Sequence, residues 1–464
     1  MLFLTFFNTI FAKPEKQSIS LTSQSSIPSI TCKQAKAQIK IAKKTRRKSK
    51  RKRRRRKKKT FTLTQDLLFE LNVNNYSGKW SPVDIDTLPN QAIEGTTTAI
   101  QELRNVFQKA ENDQRIRIAI YGDSHTAAEL WSGQLRRILQ SKYGDGGHGF
   151  ILPAEVFPWY RGSDINLCHS GGWASNFIGK RGGDDDQRLG FSGMYIESNN
   201  PEDFGWIQTT SSNPQGKEVS TYEIFTMADN SGGTLEVTID DLPHLEIDTR
   251  AESTSMQVHR ISVPKGSHRL QVRPKGNGHV RILGISTEQD PNGVIIDAMG
   301  INGRVASDLL KWENNLFQEG LQHINPDLII LEYGTNEANE TSLSLKRYRQ
   351  TLEKTLRRVR EYQPEAACLL MGPTDRVIFE EERTFSVWKR EKQIADIQRE
   401  LALAHNCSFW DWQQAMGGEA SILSWYTHKP ALASRDLIHL TRAGYSRSAD
   451  MLWAAIQEIL PLPR

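Results

Sequence analysis

The stretch RIRIAIYGDSH, residues 115–125, alternates isoleucines at 116, 118 and 120 and then breaks into glycine, aspartate, serine and histidine. Period-two alternation marks a strand, and the residues after it mark a turn at its carboxyl end. In the next segment, TAAELWSGQLRRILQSK (126–142), Leu130, Trp131, Leu135, Ile138 and Leu139 share one side of a helix. The spacing predicts that this helix starts directly after the turn. Ser124 would then lie at a helix N-terminus, where partial positive charge favours a developing anion.

The same rhythm returns four more times. GVIIDAMG (293–300), DLIILEYGTNE (327–337), ACLLMGP (367–373) and CSFWDW (407–412) are short apolar runs. Helical patterns follow at VASDLLKWENNLF (305–317), at SLSLKRYRQTLEKTLRRVREY (342–362), around Ile394, Ile397 and Leu401, and over 442–460; another precedes the first strand at 92–112. Short apolar strands alternating with helices predict an α/β fold, a three-layer flavodoxin-like parallel sheet with helices on both faces. Between the first and second units the pattern changes. TLEVTID (234–240), HLEIDTR (244–250), STSMQVHRISV (253–263) and HRLQVRP (268–274) alternate with period two and are punctuated by Gly and Pro. They predict an antiparallel β-sandwich inserted at 195–290. The expected organisation is a tail at 1–59, a first part of the α/β domain at 60–194, the insert at 195–290 and the second part at 291–464. The Gly-rich stretch 143–194 is expected to form surface loops.

The chain has 464 residues, 38% of them hydrophobic, which excludes wholesale disorder. No apolar run approaches the length of a membrane-spanning helix. Four cysteines exclude a disulfide scaffold, and no CxxC pair suggests zinc. The net charge of +6 divides unevenly. Residues 1–59 carry +19, with 15 basic residues in KKTRRKSKRKRRRRKKK (43–59), and the remainder carries −13. A run of that density repels itself and binds polyanions through a salt-sensitive attraction, or serves as a solvated tether. Residues 1–12, MLFLTFFNTIFA, have the apolar character of a secretory signal without its basic start. Export to the cell envelope is the expectation, with a cytoplasmic location as the alternative.

Four turns at carboxyl ends of strands carry residues suited to acyl transfer. Ser124 in GDSH is a nucleophile at a strand end. Asp436 and His439 in DLIH sit three apart, where a carboxylate can fix an imidazole that takes the serine proton. Asn336 in YGTNE can present its amide to an oxyanion, and a glycine of GING (300–303) can present a bare backbone N–H. Each alone is ordinary turn or capping chemistry. Together, in one sheet, they form a complete set.

With these four blocks the sequence resembles the SGNH hydrolases of the GDSL-like esterase superfamily. The resemblance implies that Ser124, Asp436 and His439 form a triad. It also implies an oxyanion hole formed by the N–H groups of Ser124 and Gly303 and the amide of Asn336. His125 stands where the motif has Leu, and Glu337 where many members have Asp. A β-insert between the serine and glycine blocks, GING and AMGG (415–418) resemble the bacterial peptidoglycan O-acetylesterases. That implies a substrate of O-acetylated polysaccharide and no cofactor or metal. Two alternatives stay open, a lipase or thioesterase of the same class and a non-catalytic polyanion-binding protein.

Further candidates have bland readings beside them. Asp184, Asp185 and Asp186 are a possible Ca²⁺ cluster or a solvated loop. His148 and His169 are candidates for the cleft, and one of Trp410 and Trp412 for a sugar platform, with core packing the alternative. Cys368 and Cys407 fall on strands that can be neighbours, but buried free thiols are the expectation. Cys32 and Cys168 have no evident role.

Overall fold

The structure is a computed structural model that describes Cys32 and residues 81–180, 188–211, 213–289, 291–379 and 385–460. The apolar segment 1–12, the basic run 43–59 and the acidic cluster Asp184–Asp186 lie outside the described residues.

The five apolar runs form one parallel sheet. Its spatial order is Val294–Gly300, Ile116–Gly122, Leu328–Glu332, Ala367–Met371, Ser408–Trp410. In chain order that is 2-1-3-4-5, the flavodoxin-like arrangement expected from the sequence. The pleat of Ile116–Gly122 divides its side chains between two layers. Ile116, Ile118 and Ile120 face the helices Thr97–Glu111, Trp131–Tyr143 and Arg442–Ile459, packing with Phe107, Leu135, Leu139, Leu452 and Ile456. Ala119 and Tyr121 face the other layer, where Asn314–Ile324, Leu345–Tyr362 and Arg390–Ala404 contribute Phe317, Leu352, Leu356 and Leu401. The helices obey local rules: Ser344 and Thr441 cap two of them by accepting from Arg347 N and Gly444 N.

Two antiparallel sheets pack with this domain around one continuous core. The first orders Ser255–Gly266, Val219–Ala228, Val280–Glu288, Met194–Ser198 and Ala174–Phe177, with Gly149–Ile151 also paired to Val280–Glu288. The second orders Ile165–His169, Gly205–Thr209, Arg269–Pro274, Thr234–Ile239 and Leu242–Asp248. Three of these strands, at 149–151, 165–169 and 174–177, fall in the stretch expected to be loops. Their sequence hides them because they are short and Gly and Ser dilute the alternation, and Gly149–Ile151 finds its partner only at 285–287.

A buried ionic cluster joins the two kinds of sheet. Arg117, on the parallel strand Ile116–Gly122, bonds Asp297 at 2.6 Å, Glu288 at 2.8 Å and Ser286 at 2.9 Å. Asp297 belongs to the neighbouring parallel strand, whereas Glu288 and Ser286 end the long antiparallel strand before it.

The cysteine expectations are corrected. Cys368 and Cys407 form a disulfide rather than free thiols. They sit beside each other at the base of two adjacent parallel strands, on the same face of the sheet. Cys32 is bonded to Cys168, so the N-terminal segment is fastened covalently to the second antiparallel sheet. Cys32 and Cys168 are 136 residues apart, and nothing local in the sequence signals their pairing.

Candidate active site

The reversal of strand order places a crevice between the carboxyl ends of Ile116–Gly122 and Leu328–Glu332. Ser124 leaves the first strand on a single turn closed by Ala127 N donating to Asp123 O at 3.1 Å. The helix begins only at Trp131, so the expected placement of Ser124 at a helix N-terminus is not what forms. Glu129, with φ of +49°, interrupts the helical path between the turn and the helix. The seryl hydroxyl is therefore oriented by a turn, not by a helix dipole.

Ser124 Oγ lies 2.8 Å from His439 Nε2, and His439 Nδ1 lies 2.7 Å from Asp436 Oδ2. The DLIH turn holds this pair in register. Asp436 Oδ1 accepts from Ile438 N at 3.1 Å and His439 N at 3.0 Å, and Leu437 adopts φ of +53° with its side chain fully buried. A leucine in left-handed backbone is strained, and its buried side chain anchors the turn. Burial works against the charged form of both partners. Their mutual hydrogen bond wins, lifting His439 above its ordinary value and holding Asp436 down at about 2.

Asn336 opens the short helix Thr335–Asn339 at the end of its strand. Its Nδ2 donates to Asp123 Oδ2 at 2.9 Å and to the Arg304 carbonyl at 3.0 Å. Both amide hydrogens are thus engaged, one beside the serine turn and the other beside the glycine loop. A substrate oxygen would have to share or replace one of these acceptors. The two glycines of GING divide sharply. A Cβ on Gly300 would come within 2.4 Å of Ala127 N, so Gly300 is needed for strand and serine turn to touch. Gly303 has φ of +72° and no atom within 4 Å of where a Cβ would be, so it faces open space. The open position belongs to Gly303, the residue assigned as donor from the sequence.

Sequence reasoning missed the support beneath these groups. Asp123 is fully buried and pushed up to about 6 by burial. Glu332 is buried beneath the same turn, accepts from Thr126 Oγ1 at 2.8 Å, and is held well above the usual carboxylate range by burial. His125, the departure from the family motif, is a buried imidazole whose ring centre lies 5.1 Å from that of His439. Its Nδ1 meets Tyr445 Oη at 2.9 Å, and burial lowers its basicity strongly. A polar residue directly after the nucleophile was the available signal.

The remaining candidates go elsewhere. His148 is buried beside Glu129, at 3.2 Å, and His169 lies on an edge strand of the antiparallel module. Trp410 and Trp412 are both fully buried, donating to Gln91 O and Ser448 Oγ, so neither is a sugar platform.

Residues 277–447 match the GDSL-like Lipase/Acylhydrolase family. That segment carries the match to the GDSL-like, or SGNH, hydrolases. The chain is similar to a solved peptidoglycan O-acetylesterase, with 25% identity and a TM-score of 0.64 over 79% of this chain and 97% of that one. It also matches a family two carbohydrate esterase from Cellvibrio japonicus, with 13% identity and a TM-score of 0.27 over 62% of this chain and 98% of that one. No curated protein matches the chain. The protein is an enzyme acting on ester bonds, with the expected α/β fold and added antiparallel sheets.

Proposed function

We propose that the protein is a serine carbohydrate esterase that removes O-acetyl groups from an exported polysaccharide, with peptidoglycan the favoured substrate. The observation that carries the catalytic reading is the unbroken line of hydrogen bonds from Asp436 through His439 to Ser124. Ser124 Oγ attacks the acetyl carbonyl as His439 Nε2 takes its proton and Asp436 holds the imidazolium. The carbonyl oxygen becomes an oxyanion facing the N–H groups of Ser124 and Gly303 and the amide of Asn336. Expulsion of the sugar hydroxyl, protonated by His439, leaves acetyl-Ser124. Water, deprotonated by His439, then releases acetate and restores the serine.

The substrate reading is supported by the likeness to a peptidoglycan O-acetylesterase, extending over nearly all of that protein. Export is supported by two disulfides, which persist in oxidising compartments. Among the described residues no helix is long and apolar enough to cross a membrane. The proposed organisation is a first α/β part through the serine block, antiparallel strands from Gly149 to Glu288 rather than from 195, and a second α/β part over 291–464. The tail at 43–59 is proposed to hold the enzyme at an anionic polymer by charge.

Acetate release from O-acetylated peptidoglycan and from p-nitrophenyl acetate tests this reading, comparing wild type with Ser124→Ala. Both activities are expected in the wild type, and both should fall by at least about 10³-fold in the variant. Release from the small ester alone would redirect the search to lipid or thioester substrates. Equal rates in the variant would overturn the nucleophile.

A further inference from the structure

On the carbohydrate-esterase reading, we propose that Trp159 is the platform on which a pyranose ring of the substrate stacks beside the oxyanion loop. Trp131, Trp410, Trp412 and Trp425 are fully buried, whereas Trp159 is 73% exposed. Its backbone explains why this is not an ordinary surface aromatic. Tyr160 N donates to Phe157 O at 3.0 Å, closing a four-residue turn with Pro158 and Trp159 in the middle. Proline holds φ negative at the second position, and Trp159 takes φ of +78° at the third. That is a type II turn, whose third position selects glycine. A bulky side chain in left-handed backbone is a genuine outlier. Here it comes with no burial in return, and uncompensated strain of this kind concentrates at functional sites.

The turn is built rigidly and built next to the site. Phe157 is buried, with its ring 5.5 Å from Tyr160 and 5.7 Å from Phe177. Tyr160 Oη accepts from Leu152 N at 2.8 Å. On one side, Asn302 Nδ2 donates to Pro158 O at 3.3 Å, one residue before Gly303. On the other, Ser163 N and Oγ bond the Glu129 carboxylate and carbonyl at 2.9 and 2.6 Å, five residues after Ser124. The loop carrying Trp159 is stitched to both the glycine loop and the serine turn, and Gly303 beside it faces open space. An indole presents an electron-rich face and a broad apolar body. The complementary ligand is one with a flat array of polarised C–H groups and hydroxyls at its edge, which describes a pyranose. A small alkyl ester such as ethyl acetate has no ring to place there.

The test compares wild type, Trp159→Tyr and Trp159→Gly on O-acetylated chito-oligosaccharide and on ethyl acetate. The ratio of kcat/KM for the sugar ester to that for the small ester should fall about tenfold in Trp159→Gly, through KM. Trp159→Tyr, which keeps an aromatic face, should retain most of the ratio. The Tm of Trp159→Gly should equal or exceed that of the wild type, because glycine is at ease at this φ. An unchanged ratio in Trp159→Gly, where the wild type prefers the sugar ester, would overturn the platform while leaving the esterase reading in place. A Tm lowered by many degrees would overturn it as well, by making Trp159 structural. A wild type that cleaves the small ester but not the sugar ester would remove the substrate reading and the platform with it.

Discussion

His439 must be neutral to take a proton from Ser124, so its titration sets the acid limb of the pH–rate profile. Its partner Asp436 raises its basicity above the ordinary histidine value, which moves that limb to higher pH. Asp436→Asn removes the hydrogen bond and charge that raise it most, so burial and Arg376, which favour the neutral ring, are opposed only by the smaller influence of Asp123. The acid limb of kcat/KM should therefore shift to lower pH in that variant. The plateau should fall, on the order of 10⁴-fold, because Asn no longer stabilises the imidazolium. A pH series with p-nitrophenyl acetate from about 4 to 9 reads both effects, and a limb that stays put would show that another group controls it. All five assigned residues were readable in the sequence, since each follows an apolar strand or sits in a spaced pair. Asp123, Glu332 and the contact between His125 and His439 were not, because burial and distance between side chains of different elements leave no periodicity.

At the scale of elements, two glycines three residues apart do different work. Gly300 ends a buried strand against the Ala127 backbone, and Gly303 holds a left-handed turn in the open. Gly300→Ala forces a methyl into the peptide of the serine turn, which must then move. It should lower both Tm and kcat, the latter because Ser124 moves with its turn. Gly303→Ala should cost only about 1–2 kcal/mol from its positive φ and lose activity mainly by disturbing the N–H it presents. Thermal melts and kinetics on the pair read the difference, and equal losses of stability in the two would contradict it. The helix after Ser124 shows how element boundaries escape the sequence. The segment from Thr126 was expected to be helical, but the carbonyls of Asp123 and Thr126 bind the intervening backbone and close a separate turn, and the helix starts at Trp131, five residues later. The five parallel strands, by contrast, are buried on both faces and announce themselves as short, predominantly apolar runs.

In the whole molecule, Arg117 couples the catalytic sheet to the antiparallel module. Replacing it with Ala would leave Glu288 and Asp297 buried without their common cation. Loss of one partner from such a cluster typically costs about 3–5 kcal/mol. Arg117→Ala should lower the denaturation midpoint accordingly, with both sheets losing structure in one transition rather than two, as a continuous core requires. Separate transitions in chemical denaturation would show the two parts to be independent. The antiparallel insert was visible from residue 234 onward, where alternation is clean, and invisible before 180, where the strands are only three to five residues long and Gly149–Ile151 pairs with a partner over a hundred residues away. The link from Cys32 to Cys168 has a consequence for proteolysis. It closes a covalent ring that contains the basic run, the first parallel strand and Ser124. Any single peptide bond broken inside that ring leaves the nucleophile and the N-terminal piece in one molecule. After limited trypsin treatment such a chain should migrate as a single band without reductant and as two fragments with it. A protease could open this enzyme at its most cleavable sequence, seventeen residues dense in lysine and arginine, without detaching what lies before the cut.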